Sequence, residues 1–237
     1  MKKIVILPVY NEGLVLRGVL EKVSSVCDFI ILIDDGSTDG SAQICLEWAE
    51  GNPRAFFKPL KENVGKAGAL RAGFEAVLEL QESGIIKKKD LLIITDADGQ
   101  LPLEIIGDAC DYFIKEKADM LIGSRDFSIY PPVKKIGNYI LSALASFLSG
   151  YNFRDTQCGF RIFSVGTLGQ ILPYYKAKRY SCEQEISLIA AILKLKVDNS
   201  YPVKPLYYRS NSTFTDAFRI AFASFAVWAR LNFYKKR

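Results

Sequence analysis

Short apolar runs separated by helical stretches recur along most of this chain, and that alternation constrains the fold more than any other feature. Ile4 to Leu7 reads as a strand, followed by a helix pattern from Gly13 to Val23. Phe29 to Ile33 is a second strand, a helix then runs through Trp48, and Ala55 to Lys58 is a short third strand. Ala67 to Gln81, rich in Ala, Leu and Glu, is another helix; Leu91 to Thr95 and Met120 to Ile122 are further buried-type strands. Strands joined by helices of this length are βαβ units, which assemble into a mostly parallel sheet covered on both faces. The expected class is α/β, as one large domain, because no repeat, low-complexity tract or linker divides the chain.

In open sheets of this kind ligands bind outside the carboxyl ends of the strands. Four such ends carry polar clusters: PVYNE, DDGSTDG, DADGQ and GSR. Asp96 and Asp98 stand one residue apart with the Gln100 amide two further on. Alternate side chains there can converge on one hard cation while Gly99 permits the bend. The same residues also suit a polar turn leading into the helix that Pro102 opens. Asp34-Asp35-Gly36-Ser37 suits a turn with a helix cap at Ser37, Thr38 or Asp39. Two adjacent acids after a buried strand also suit hydrogen bonding to a nucleobase or ribose. Tyr10 can stack on a base or simply pack.

No histidine occurs among the 237 residues. Ser-His-Asp and Cys-His hydrolases, HExxH proteases and His-ligated zinc or haem sites are thereby excluded. Acid–base work near neutral pH falls to carboxylates. A metal would be held by carboxylate and amide oxygens, which points to Mg or Mn. The five cysteines are scattered without a CxxC pair, which suits a reduced, cytoplasmic protein. The opening MKKIVILPVYNE turns polar too soon for a signal peptide. No GxGxxG follows the first strand, which disfavours a Rossmann oxidoreductase.

Taken in order, PVYNE, IDDGSTDG, NVGKAGALRAGFE, DADGQ and GSR resemble the family 2 glycosyltransferases of GT-A fold, with a Rossmann-like nucleotide-binding sheet. The later DTQCGFRIF and CEQEI segments resemble the branch of dolichol-phosphate mannose synthase and the bacterial polyprenyl-phosphate glycosyltransferases. The resemblance runs from Ile4 to about Arg209. It implies a catalytic domain over 1–212, which leaves 213–237 as a C-terminal helix to be read from its own pattern.

The resemblance also implies roles. Pro8, Tyr10, Glu12 and Asp35 would hold the nucleotide of a GDP- or UDP-sugar, with Asp34 supporting the turn. Gly65 and Lys66 would lie beside that nucleotide, and Arg209 with Ser212 near its diphosphate. Asp96, Asp98 and Gln100 would bind Mg or Mn, which bridges the diphosphate, and Asp98 counts among the catalytic residues. Gly123, Ser124 and the catalytic Arg125 would face the acceptor. Asp155, Gln157, Gly159 and Arg161 would line the sugar and acceptor pocket, with Glu185 on the following helix.

The chemistry expected is an inverting transfer of a mannose- or glucose-type sugar to a polyprenyl phosphate at the cytoplasmic membrane face. A departing nucleoside diphosphate is stabilised by a cation and by basic side chains. A phosphate acceptor is already anionic and needs no histidine base; a hydroxyl of a glycan would need one, with Asp155 or Glu185 the candidates. A catalytically silent nucleotide-sugar binder is the rival from another class. After GSR, relatives carry an arginine that grips the lipid phosphate. Here the loop reads DFSIYPPVKKIGN, so Lys134 or Lys135 would serve, as a point charge without bidentate geometry.

Charge and hydropathy single out the C-terminus. From Lys204 onward seven basic residues face one acid, Asp216, while the rest of the chain is nearly neutral. On a helix, Phe214, Phe218, Phe222, Phe225 and Trp228 share one face and Arg219 and Arg230 another. This reads as a basic amphipathic helix lying in lipid headgroups, with Lys235, Lys236 and Arg237 drawn to anionic lipid, or as a helix packed on its own domain or a second subunit. No transmembrane helix follows, so attachment would fall to this surface or to a separate membrane protein. Nucleic acid is not an expected partner. Ile136 to Phe153 carries no charge but is broken by Gly, Ser and Asn, which suits a core or acceptor-groove helix rather than a span.

Overall fold

In the computed structural model, which describes residues 1–179, 181–207 and 214–234, the first half is a run of βαβ units. They are β1 (Lys3–Val9), α1 (Leu16–Val26), β2 (Phe29–Asp34), α2 (Ser41–Glu50), β3 (Ala55–Pro59), α3 (Lys66–Glu82) and β4 (Leu91–Ile94). Then come α4 (Ile106–Glu116), β5 (Met120–Ile122), β6 (Ser124–Arg125) and α5 (Pro132–Ser149). The chain continues through β7 (Arg161–Ser164), α6 (Val165–Ile171), α7 (Cys182–Ile192), β8 (Val197–Asp198), β9 (Pro202–Val203) and α8 (Phe214–Tyr234).

Seven strands form one sheet in the order β3-β2-β1-β4-β7-β5-β8, and β6 pairs with β9 apart from it. Alternate residues on each strand point to opposite faces. Ile4 and Ile6, Ile31 and Ile33, and Leu92 and Ile94 therefore join the core under α3, α6 and α7. Their neighbours Val5 and Leu7, Ile30 and Leu32, and Leu91 and Ile93 join the core under α1 and α4. Burial on both faces is why these strands read as unbroken apolar runs.

One strand breaks the parallel pattern. β7 lies between β4 and β5 and runs antiparallel to both, with Ile93 opposite Ile162 and Leu121 opposite Ile162 on its other side. The inversion positions the site. The carboxyl ends of β1, β2, β4 and β5 share one sheet edge, and an antiparallel β7 begins at that edge. The Asp155–Gly159 loop that precedes β7 is thereby delivered to the same place as PVYNE, DDGS, DADGQ and GSR.

The last two helices close that end of the molecule. All eleven residues of α7 are buried. Among its described side chains α8 buries Asp216, Ile220, Ser224, Val227 and Leu231, one stripe at helical spacing, and it packs on α5 and α7. Arg230 clamps the far end of α8 by donating to Tyr174 O at 2.6 Å and to the Glu185 carboxylate at 2.7 Å. Of the stretch 213–237 expected to be helical, Phe214–Tyr234 is α8, and its described part packs on α5 and α7. The side chain of Phe214 and the residues Lys235, Lys236 and Arg237 lie outside what is described. Among the described residues no helix is long and apolar enough to cross a membrane.

Candidate active site

A cleft of about 830 Å³ opens at the shared strand edge. One side of it is built from β1 and β2. Pro8, Tyr10 and Glu12 line it after β1, and Asp35 lines it after β2. Asn11 takes the left-handed conformation, φ 55°, and its side chain accepts from Thr38 N at 2.8 Å, locking the two loops together. Tyr10, 46% exposed, presents its ring to the opening.

The two acids after β2 divide their work. Asp34 accepts from Ser37 N at 3.1 Å and so stabilises the turn, as expected. Asp35 faces the cleft, and its Oδ1 accepts from Val64 N at 2.8 Å. Burial raises its pKa above the ordinary carboxylate value, with the Val64 and Gly65 N–H groups acting the other way. Gly65, at φ 80°, turns the chain into α3, and Lys66 is the first residue of that helix.

Lys66 forms the centre of the site. Its ammonium contacts Asp96 Oδ1 and lies 2.6 Å from Glu183 Oε1. Burial works against the Lys66 charge, but Asp96 and then Glu183 more than offset it and hold the pKa well above the usual lysine range. Burial likewise works against the Glu183 charge, but Lys66 first, then Arg161, hold its carboxyl at about 2. Gly159 approaches Asp96 so closely that a Cβ would collide with the carboxylate, which explains a glycine in DTQCGF.

The DADGQ turn carries the expected metal ligands into the cleft: Asp96, Asp98 and Gln100 all line it. Gly99 sits at φ 71°, where a side chain would be strained. Burial, and then the neighbouring Asp96 charge, raise the Asp98 pKa. Two carboxylates and an amide at one turn are oxygen donors of the kind Mg or Mn takes, and among the described residues no cluster of three or more Asp, Glu or Cys side chains forms a metal site by itself. The Gln100 amide nitrogen points at Asp98, so its oxygen would turn outward to serve as a ligand. Leu206 N donates to Gln100 O at 2.8 Å and Tyr207 hydroxyl to Asp98 O, clamping this loop from the C-terminal side.

Another side of the cleft is basic and apolar. Arg125 lines the cleft and grips Asp155 through Nε at 2.7 Å and a second nitrogen at 2.9 Å, with Asn138 Oδ1 at 3.1 Å. The Phe127 and Tyr130 rings flank its guanidinium at 5.3 and 5.5 Å. Of the two lysines expected to meet an acceptor phosphate, Lys134 lines the cleft and the exposed Lys135 does not. Gln157 and Gly159 also line it.

Other expected residues are near the cleft without lining it. Asp155 has no exposed side-chain surface and is paired with Arg125. Glu185 faces away, bound to Arg230 and to Lys176 N at 2.6 Å. Arg161 is buried as a brace that donates to Thr156 O and Glu183 O at 2.7 and 3.0 Å. Gly123 leaves room for Val203 and Cys158, and Ser124 N donates to Tyr201 O. Arg209 and Ser212 lie outside the described residues.

Glu183 and Arg179 are cleft residues that the sequence reading passed over. Glu183 stands in the quoted CEQEI segment, but residues two apart on a helix point about 200° apart, so choosing between Glu183 and Glu185 requires the helix phase.

Residues 4–172 match the model of glycosyl transferase family 2. The chain belongs to this family. Among its relatives, the UDP-N-acetylglucosamine–dolichyl-phosphate N-acetylglucosaminyltransferase of Methanococcus voltae is 30% identical over 220 residues, covering 85% of this chain and 84% of that one. A dolichyl-phosphate beta-glucosyltransferase of Dictyostelium discoideum is 28% identical over 211 residues, covering 81% of this chain and 63% of that protein. The resemblance to the polyprenyl-phosphate branch therefore holds. The glucosyl-3-phosphoglycerate synthase of Mycobacterium tuberculosis, solved with Mn2+, uridine diphosphate and glucosyl-3-phosphoglycerate, superposes with a TM-score of 0.67 at 15% identity, covering 97% of this chain and 79% of that one. The mannosyltransferase of Pyrobaculum calidifontis, solved with GDP-mannose and Mn2+, gives 0.60 at 16% identity, covering 97% and 64%. The GT-A fold expected of this glycosyltransferase is the one it has.

Proposed function

We propose that this glycosyltransferase moves a sugar, with inversion, from a nucleoside diphosphate donor to a polyprenyl phosphate at the cytoplasmic face of a membrane, with α8 contributing to attachment. One observation carries the choice of acceptor: the acids that would serve as base are engaged by cations. Asp155 is held by Arg125, Glu185 by Arg230, and Glu183 by Lys66 with a pKa of about 2. A carboxylate that weakly basic is poorly matched to deprotonating a sugar hydroxyl. A phosphate needs no such base, and the acceptor side offers Arg125 and Lys134 to orient it.

In the transfer, the acceptor phosphate oxygen attacks the anomeric carbon while the bond to the nucleoside diphosphate breaks and its electron pair leaves on the diphosphate. Tyr10, Glu12 and Asp35 orient the nucleoside. Lys66 and Arg179 stand at the diphosphate side, and positioning supplies much of the rate. Asp96, Asp98 and Gln100 would hold Mg or Mn, which neutralises charge on the departing group. The relatives named above support a lipid phosphate acceptor.

Incubation with labelled UDP- or GDP-sugars, Mn or Mg, and polyprenyl phosphate is expected to yield a product extractable into organic solvent. Failure with every donor, or transfer only to a glycan hydroxyl, would overturn this reading.

A further inference from the structure

Helix α5, read from the sequence as a core or groove helix, has a second character. Its inner face is buried through Asn138, Leu141, Ala145 and Leu148. Its outer face carries Val133, Ile136, Ile140 and Phe147 at helical spacing, and Phe147 is 83% exposed. Beside it, α8 buries the stripe described above and turns Phe222, 78% exposed, outward with Phe218, Phe225 and Trp228. Every exposed Phe and Trp among the described residues lies on one of these two helices. Soluble monomers rarely gather so much exposed apolar surface in one place, and such patches mark interaction sites.

We infer that the outer faces of α5 and α8 form one lipid-docking surface that leads directly into the acceptor side of the cleft. Continuity with the cleft is the first argument. Val133, Gly137 and Leu141 of α5 and Ala217 and Ile220 of α8 line the cleft, so its mouth lies between the amino-terminal turns of the two helices. Charge is the second. α5 contains no acidic residue, and the sole acid of α8, Asp216, is buried. The cations Lys134 and Lys135 stand near the cleft end, and Arg219 there is paired with Asp216 at 3.3 Å. An order of cationic mouth followed by aromatic and aliphatic surface matches a phosphate headgroup followed by a polyprenyl chain, and it matches an anionic bilayer surface. A second protein seated on both faces would instead cover the mouth through which the acceptor enters.

The surface rests on the lipid-phosphate reading of the site, and it adds that α5 docks together with α8. The full chain is tested by co-flotation with vesicles of phosphatidylcholine alone or mixed with phosphatidylglycerol. Ile140→Ser with Phe147→Ser alters α5, and Phe222→Ser with Phe225→Ser alters α8; none of the four residues lines the cleft. Each pair is expected to weaken vesicle partitioning roughly tenfold or more, since each removes two large apolar side chains from lipid contact. Transfer to a long-chain polyprenyl phosphate embedded in vesicles should fall with it, while transfer to a short, water-soluble analogue stays at the parent rate. Wild-type partitioning by the α5 pair would overturn the joint surface. So would a parent chain that self-associates through these faces, its dimer lost in the variants, without binding vesicles. Vesicle binding that depends on both pairs, in a chain that transfers to no polyprenyl phosphate, would uphold the surface and sink the acceptor reading alone.

Discussion

The Glu183 carboxylate meets the Lys66 ammonium at 2.6 Å, and the same ammonium contacts Asp96. One cation thus links the amino terminus of α3, the DADGQ turn and the amino terminus of α7. Removing it should uncover the charge of Asp96. Lys66→Met is expected to tighten Mn2+ binding to the donor-free protein, measured by titration calorimetry. The same variant should lower kcat/KM by roughly a hundredfold, the scale of losing one charge-stabilising contact in a transition state. Unchanged or weaker Mn2+ affinity would show that Lys66 does not screen Asp96.

Glu183 also makes stability depend on pH. Its carboxyl is held at about 2 in the fold against 4.5 for an ordinary glutamate. Between those values the unfolded chain binds more protons, so acid favours unfolding. The stabilisation is complete above the ordinary value and is lost as pH falls towards about 2, amounting to at most ~3 kcal/mol. Urea midpoints measured across this range should decline more steeply for the parent chain than for Glu183→Gln. Parallel curves would contradict the assignment.

Gly159→Ala tests a close approach. The added methyl would occupy the place of the Asp96 carboxylate, so Asp96 must shift while the buried core is untouched. Loss of Mn2+ binding and of transfer is expected with little change in Tm. Full activity would mean that Asp96 has another productive position.

Arg125 and Asp155 form a bidentate pair whose carboxylate has no exposed surface. Arg125→Ala leaves that charge buried without its partner, and a loss of about 3 kcal/mol is expected in chemical denaturation. Arg125→Lys keeps the charge but not the fork, so it should recover only part of the stability. If alanine costs no more than lysine, the pair contributes little to the fold.

Asp98→Ala should abolish transfer with far-UV circular dichroism unchanged, because Asp98 lies on a turn lining the cleft rather than in the core. Chelation of divalent cations should do the same to the parent chain, and added Mn2+ should restore it. Transfer that survives both treatments would remove the metal from the proposed function.

Much of this was legible in the residues. Each apolar run that became a β1, β2, β4 or β5 strand is buried on both faces, so it needed no alternation to be recognised. The polar clusters were legible because loops after buried strands have no packing reason to carry paired acids. The order of motifs identified the family, and the expected residues Pro8, Tyr10, Glu12, Asp35, Gly65, Lys66, Asp96, Asp98, Gln100, Arg125 and Gly159 line one cleft.

The sequence by itself therefore determined the α/β class, the edge of the sheet where the cleft opens and many of the side chains assembled there, because these depend on periodicity and local order. Only the tertiary structure decided that β7 runs antiparallel and brings Gly159 against Asp96. It also decided that Glu183 rather than Glu185 enters the cleft, and that the uncharged stretch of α5 turns one apolar face outward. Each of these depends on the phase and direction of one element relative to distant others, which local sequence does not encode.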